Sequence, residues 1–339
     1  MGAAWVTGGC SYAPMPSQPR PALPARAPAA SAIAVPAPAV AEVSDLGGGR
    51  VTGVLTGCGE SVRFHRWRRI DGAAARATVV LVPILAGGDE LLRYVAQQML
   101  ERGFDVAFCA RAGSALKPPQ RGTELDELFR RTVLHQRILL AWLRRDAPDP
   151  TNTLFVLGMS IGGMVATDLA ALEPGLRGVA ICLSGGDLGG MIRDSSEVRV
   201  QSWVRWRKET DGVGDDHLRW ELRQFLRHEP LGFAASVPTA KVLFVSADFD
   251  TVVPPRHQDL LWEALGRPAR LRLPLGHYTA ALAIQPILAA AASHFESLLA
   301  VPLDDPRCAA PPSGTKWEEV QGLRVAAPVG LMLPPTSPP

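Results

Sequence analysis

The chain lacks several features that would place it quickly. It has almost no excess of either charge: 35 Lys and Arg face 33 Asp and Glu, a net +2 over 339 residues. No strong field therefore favours nucleic acid or an anionic membrane surface. Aromatic residues make up only 6%, which argues against a base-stacking platform. The five cysteines (Cys10, Cys58, Cys109, Cys182 and Cys308) are scattered, with no C-x-x-C pair. That disfavours a zinc ribbon or a dithiol redox site, and the odd total argues against a complete disulfide framework. Cys109 and Cys182 sit in apolar runs and are expected to be buried thiols. No uninterrupted apolar run reaches the ~20 residues of a membrane-spanning helix. The most apolar stretch, Thr279–Ala292, contains Pro286, so no transmembrane segment is expected.

What is present is a body with two unusual ends. At 47% hydrophobic and 20% charged, the chain can bury a sizeable core. Residues 1–44 differ from the rest: between Ser11 and Val40, 8 of 30 residues are proline and 10 are alanine. Such a segment is expected to be an extended linker. Ahead of it, Val6-Thr7-Gly8-Gly9-Cys10 resembles a bacterial lipoprotein processing site, though Thr7 stands where an aliphatic residue is usual and no basic start precedes it. Two locations stay open, cytoplasmic or exported and lipid-anchored at Cys10. Residues 301–339 are again proline-rich and are expected to form a loosely docked tail.

Residues 45–300 alternate strand and helix. Ser61–Arg68 alternates in polarity like a half-buried edge strand. Continuous apolar strands are predicted at Thr78–Val82, Asp105–Cys109, Thr153–Leu157, Gly178–Leu183, Lys241–Ser246 and Arg270–Pro274. Helical spacing is predicted over Glu90–Arg102, Thr123–Arg145, Ile161–Leu172, His257–Leu265 and Thr279–Leu299. Short apolar strands alternating with longer helices imply an α/β fold with a mostly parallel sheet covered on both faces. Reactive groups then belong at the carboxyl ends of the strands.

At one such end the sequence reads Gly158-Met159-Ser160-Ile161-Gly162-Gly163, between a predicted strand and a predicted helix. This is the G-x-S-x-G context of a nucleophile elbow, in which small residues on both sides of the serine let strand and helix approach. Over about residues 50–300 the chain resembles the α/β-hydrolase superfamily. The resemblance implies an eight-stranded, mostly parallel sheet and a triad in chain order Ser, acid, His, with no metal or organic cofactor.

The residues supply both partners. After the Lys241–Ser246 strand comes Ala247-Asp248-Phe249-Asp250-Thr251-Val252-Val253-Pro254. The family's D-x-[IV]-V-P spacing points to Asp250 as the acid; Asp248 comes two residues early. His277, following Gly276 just past the last strand, stands where the family places its base. His65, His135, His217, His228, His257 and His294 lie on an edge strand, in helices or in the inserted region. For the oxyanion, one donor is the N–H of Ile161, the residue after the serine. The second, from the Pro83-Ile84-Leu85-Ala86-Gly87-Gly88 loop, is the N–H of Leu85, with a register shift of one left open.

Between Ser184 and Pro238 the alternation stops. Residues 193–230 look helical and hold 8 Lys/Arg against 8 Asp/Glu. The resemblance implies a lid, about 187–237, over the site. Met159, Ile84, Trp203 and Trp206 are candidates for lining a pocket that takes an apolar acyl or aryl group, although any single tryptophan is more readily explained by packing the insertion onto the body. The implied activity is hydrolysis of a small-molecule carboxylic ester. Amide or peptide cleavage, acyl transfer, and a non-catalytic binding protein on the same fold are the alternatives.

Overall fold

The computed structural model describes residues 35, 36, 38–70, 75–84, 90–146, 153–302, 316–320 and 323–327. Cys10, Leu85 and Cys308 lie outside them. Nine strands form the main sheet: β1 (Ala39–Asp45), β2 (Arg50–Gly57), β3 (Glu60–Trp67), β4 (Thr78–Val82), β5 (Asp105–Cys109), β6 (Leu154–Met159), β7 (Gly178–Cys182), β8 (Val242–Ala247) and β9 (Ala269–Leu273). Their order is β1-β2-β3-β5-β4-β6-β7-β8-β9. The pairs from β5 across to β9 are parallel, while β1, β2 and β3 meander antiparallel at one edge.

The central strands are apolar on both faces because both faces are covered. Val80, Val156 and Ile181 face a core completed by α2 (Gly122–Asp146), α3 (Ile161–Leu172) and α8 (Pro255–Ala264). Their neighbours Val79, Phe155 and Ala180 face the opposite core, under α1 (Glu90–Glu101) and α9 (Ile284–Leu299). This is the period-two alternation of a strand, invisible in composition because each side of the sheet is equally dry.

Three expectations need correction. The sheet has nine strands, not eight. The extra one, β1, crosses the boundary drawn at residue 44; its side chains are almost all exposed, so it carries no apolar alternation to reveal it. The segment expected to be a proline-rich tail contains a separate antiparallel pair, β10 (Lys316–Val320) and β11 (Leu323–Ala327). The predicted helix at Thr279–Leu299 starts as a 3₁₀ turn over Thr279–Ala283 before α9. Pro286 is the third residue of α9, where a backbone N–H would have no intrahelical acceptor, so it is tolerated rather than disruptive. By length and composition alone this stretch could cross a membrane. Instead it buries Ile287, Leu288, Ala291 and Phe295 against the sheet, with the Phe295 ring stacked on Phe155 at 4.4 Å.

Between β7 and β8 lies a helical insertion: α4 (Leu188–Asp194), α5 (Val198–Asp211), α6 (Asp215–Phe225) and α7 (Pro230–Ala234). Its two ends are joined through one side chain. The Glu229 carboxylate accepts hydrogen bonds from the N–H groups of Asp187 (2.8 Å) and Leu231 (3.1 Å). Its middle is fastened to the start of α2. Buried Arg207 pairs with Glu221 and Asp211, Glu221 accepts the Gly122 N–H at 2.9 Å, and Asp211 pairs with Arg121.

Among the buried polar side chains with an atom lacking a hydrogen-bond partner in the described residues is one carboxyl group. Asp168 of α3 is 1% exposed, and neither carboxyl oxygen has a hydrogen-bond partner among the described residues. Burial, with lesser repulsion from Glu229 and Asp126, raises its pKa well above the usual carboxylate range. The native state therefore keeps a proton that the unfolded chain loses near pH 4. Asp168 should make the fold less stable as pH rises from that point toward its raised pKa. Asp168→Asn, which mimics the protonated form, should gain stability relative to wild type as pH increases. Urea midpoints measured from pH 5 to 8 check this; a mutant-minus-wild-type difference that stays flat with pH would refute it.

Candidate functional site

Ser160 stands between β6 and α3, at the carboxyl edge of the sheet. Its backbone is left-handed, φ 54° and ψ −124°, which a non-glycine residue adopts only under constraint. The constraint is the closeness of the two elements around it. A Cβ at Gly158 would lie 2.1 Å from Gly162 O, and one at Gly162 would lie 2.7 Å from Val82 O. Only glycine fits either position. The Ser160 N–H donates to Cys182 O (2.8 Å) and its carbonyl accepts the Gly163 N–H (2.9 Å), so the turn is held from both sides. Ile161 opens α3, whose first N–H groups have no acceptor within the helix and favour negative charge beside the serine.

The other two residues come from loops after the next strands. His277 lies beyond β9 and Asp250 beyond β8. The structure brings all three together: Ser160 Oγ lies 3.1 Å from His277 Nε2, and His277 Nδ1 lies 2.7 Å from Asp250 Oδ2. A carboxylate only accepts, so Nδ1 carries the proton and Nε2 is left to accept from the serine hydroxyl. Asp250 is 2% exposed, and its charge is met by fixed donors. Its Oδ1 accepts the N–H groups of Val252 (2.9 Å) and Val253 (2.8 Å). Asp248, the earlier aspartate, pairs instead with Arg272 at 2.8 Å. Leu85, the expected second oxyanion donor, lies outside the described residues.

An apolar cavity of ≈ 580 Å³, open mouth included, adjoins Ser160 and Ile161. Aliphatic side chains of the insertion form much of its wall, among them Leu188, Met191, Ile192 and Val200, with Leu125 and Phe129 contributed by α2. Ile84 lines an adjoining cavity of ≈ 360 Å³, which shares Ala115, Phe129 and Ile161 with the first. The other three pocket candidates line neither cavity. Met159 is packed into the core beneath α1 and α9. Trp203 is fully buried; its indole N–H donates to Gln120 O at 2.8 Å and its ring lies beneath the Arg207 guanidinium. Trp206 is half-buried beneath the Arg121 guanidinium. Both rings fasten the insertion to the residues just before α2, Gln120 and Arg121, because large flat side chains suit an internal seam better than an open wall.

Several contacts around the site had no sequence signal. Tyr278, next to His277, donates its hydroxyl to Glu197, and this bond pushes the phenol up to about 12. Ser196 Oγ and Thr251 Oγ1 lie 2.7 Å apart, and the Ser196 N–H donates to Thr251 O. The α4–α5 linker is thereby tied to both loops that carry Asp250 and His277. Buried Gln258 of α8 also reaches the acid. Cys109 and Cys182 are buried free thiols, and burial pushes both up to about 12, so neither offers a ready thiolate. Among the described residues, no group of three or more His, Cys, Asp or Glu side chains is arranged to hold a metal ion.

No family model and no curated protein matches the sequence. Solved structures do match. The crystal structure of 2,6-dihydroxy-pseudo-oxynicotine hydrolase aligns with TM-score 0.55 at 18% identity, covering 74% of this chain and 68% of that one. Acetyl xylan esterase 1 from Thermoanaerobacterium sp. JW/SL YS485 aligns with TM-score 0.55 at 16% identity, covering 76% and 90%. TT1662 from Thermus thermophilus aligns with TM-score 0.50 at 22% identity, covering 77% and 100%. At such identities the likeness is one of fold. With its strand order, its crossover helices and a serine at the sharp turn after β6, the chain has the α/β-hydrolase fold.

Proposed function

We propose that the protein is a serine hydrolase of small carboxylic esters. The observation that carries this reading is the hydrogen-bonded series Ser160–His277–Asp250, assembled from three separate loops at one edge of the sheet. His277 Nε2 takes the hydroxyl proton as Ser160 Oγ attacks the ester carbonyl. Asp250 holds the imidazole in the required tautomer and balances the imidazolium that forms. The tetrahedral oxyanion is received by the Ile161 N–H at the start of α3 and by a second donor, assigned to Leu85. His277 then protonates the departing alcohol. It next activates water to release the acid from the acyl-enzyme. The fold is shared with proteins described as a hydrolase and an acetyl xylan esterase, which supports hydrolysis as the reaction class.

The apolar group of the ester, on this reading, occupies the cavity beneath α4 and α5, with the insertion acting as a lid. The wall is mostly apolar, and among the described residues it carries no cationic side chain to bind a phosphate or a polyanion. An apolar acyl chain fits it better than a charged one.

Ser160→Ala should abolish both labelling by a fluorophosphonate probe and hydrolysis of p-nitrophenyl esters, with a loss of about 10⁴-fold or more in kcat. Asp250→Asn should lose about 10⁴-fold by favouring the wrong imidazole tautomer, while Asp248→Asn stays close to wild type. An unlabelled wild type, or a Ser160→Ala protein that hydrolyses every ester equally fast, would end the enzyme reading and favour a non-catalytic binding protein.

The cavity assignment has its own test. Met191→Trp would fill space beside Leu188 and Ile192. It should cut kcat/KM for long-chain p-nitrophenyl esters about tenfold or more relative to the acetate ester. An unchanged chain-length profile would move the acyl group elsewhere.

A further inference from the structure

The groups around Asp250 include one whose arrangement goes beyond packing. Gln258, in the first turn of α8, is 0% exposed, and its amide is engaged at both ends. Its Oε1 accepts the N–H of Ala247, the last residue of β8, at 3.0 Å. Its Nε2 donates to Val253 O at 2.7 Å and reaches Asp250 Oδ2 at 3.2 Å, with Ala247 O a further 3.4 Å contact. The oxygen it reaches is the one that accepts from His277 Nδ1.

Asp250 therefore has four donors for its two oxygens: two backbone N–H groups on Oδ1, with Gln258 and His277 sharing Oδ2. A carboxylate has about four such positions, so rotation about its terminal bond would break several bonds at once. We propose that Gln258 is a positioning residue for the reaction. It fixes the plane of the Asp250 carboxylate and, by drawing on Oδ2, moderates the negative charge presented to His277. This rests on the serine-hydrolase reading for its consequence, but the hydrogen-bond geometry stands independently of activity.

The other ionisable groups near this assembly are already engaged. Asp248 is paired with Arg272, Glu197 accepts from Tyr278, and His257, next to Gln258 in sequence, contacts Asp194. None of them donates to Asp250, so Gln258 is the one side chain other than His277 that donates to its carboxylate among the described residues.

Two substitutions separate positioning from simple support of the fold. Gln258→Leu removes the donor to Asp250. Gln258→Glu keeps an acceptor for the Ala247 N–H while placing a second carboxyl group beside Asp250. With the amide donor gone, more of the Asp250 charge reaches His277, so the imidazolium is favoured. The His277 ring titration, followed by NMR and assigned with His277→Gln, should move upward by about half a unit to one unit in Gln258→Leu. In Gln258→Glu the buried second carboxyl is held protonated beside Asp250 and can still donate to Oδ2, so the titration should move less than in Gln258→Leu. The acid limb of kcat/KM should follow, with kcat falling and KM nearly unchanged.

If Gln258→Leu only lowers the unfolding midpoint, leaving the His277 titration and the acid limb where they are in wild type, Gln258 is structural and the proposal is wrong. Because the ring titration needs no turnover, a protein that hydrolyses no ester would overturn the enzyme reading without deciding this one. A shifted titration would support the positioning role in either case.

Discussion

The close approach of β6 and α3 is the constraint from which the site follows. With 2.1 Å available where a Cβ on residue 158 would have to stand, strand and helix meet almost backbone to backbone. The residue caught between them has no relaxed conformation open to it. Ser160 takes a left-handed one that is expected to cost about 1–3 kcal/mol. The surrounding hydrogen bonds to Cys182 and Gly163 supply the restraint that holds it. The strain directs the hydroxyl above the sheet edge and sets it next to the first free N–H groups of α3. A looser turn would bury the hydroxyl or turn it away from His277.

The other two residues of the proposed triad stand beyond β7, after β8 and β9, and they are organised by saturation rather than by strain. The Asp250 carboxylate is buried, a position that would be costly for a bare charge. It is tolerated because backbone N–H groups, an amide and an imidazole fill its acceptor sites. Asp168 offers the contrast within the same molecule: equally buried, without a hydrogen-bond partner among the described residues, and driven toward its neutral form. Two aspartates of similar burial thus differ in their surroundings: one carboxylate is met by donors on both oxygens, and the other has none among the described residues.

The parts of the architecture that could be read from sequence are those in which one segment contains its own signal. The strands Thr78–Val82 and Asp105–Cys109 and the helix Ile161–Leu172 have the expected bounds, since each is a compact apolar run between clear breakers. Ser160 is legible in its own G-x-S-x-G turn, whereas Asp250 and His277 are reached through the family resemblance, since a position after a strand does not by itself separate Asp250 from Asp248. What the sequence concealed depends on juxtaposition. β1 pairs with β2 through its backbone while its side chains face solvent, so hydropathy says nothing about it. The cavity wall is drawn from several segments, each contributing ordinary aliphatic residues. The tryptophans are candidates for that wall from sequence, with packing the favoured reading of any single one, and packing is what is found: Trp203 bonds Gln120 O through its indole N–H and Trp206 lies beneath the Arg121 guanidinium. Gln258 carries no motif at all, and its meaning comes only from what stands within 3.2 Å of it.

The junction at Glu229 has a wider consequence. By bonding to the N–H groups of Asp187 and Leu231, it makes the forty-odd residues between them leave and re-enter the body at one point. The enclosed excursion behaves as a cassette. Its length and sequence can drift, or be exchanged wholesale, while the strands on either side keep their register. On the proposed reading, evolution could in this way revise which molecules are admitted without renegotiating the residues beneath.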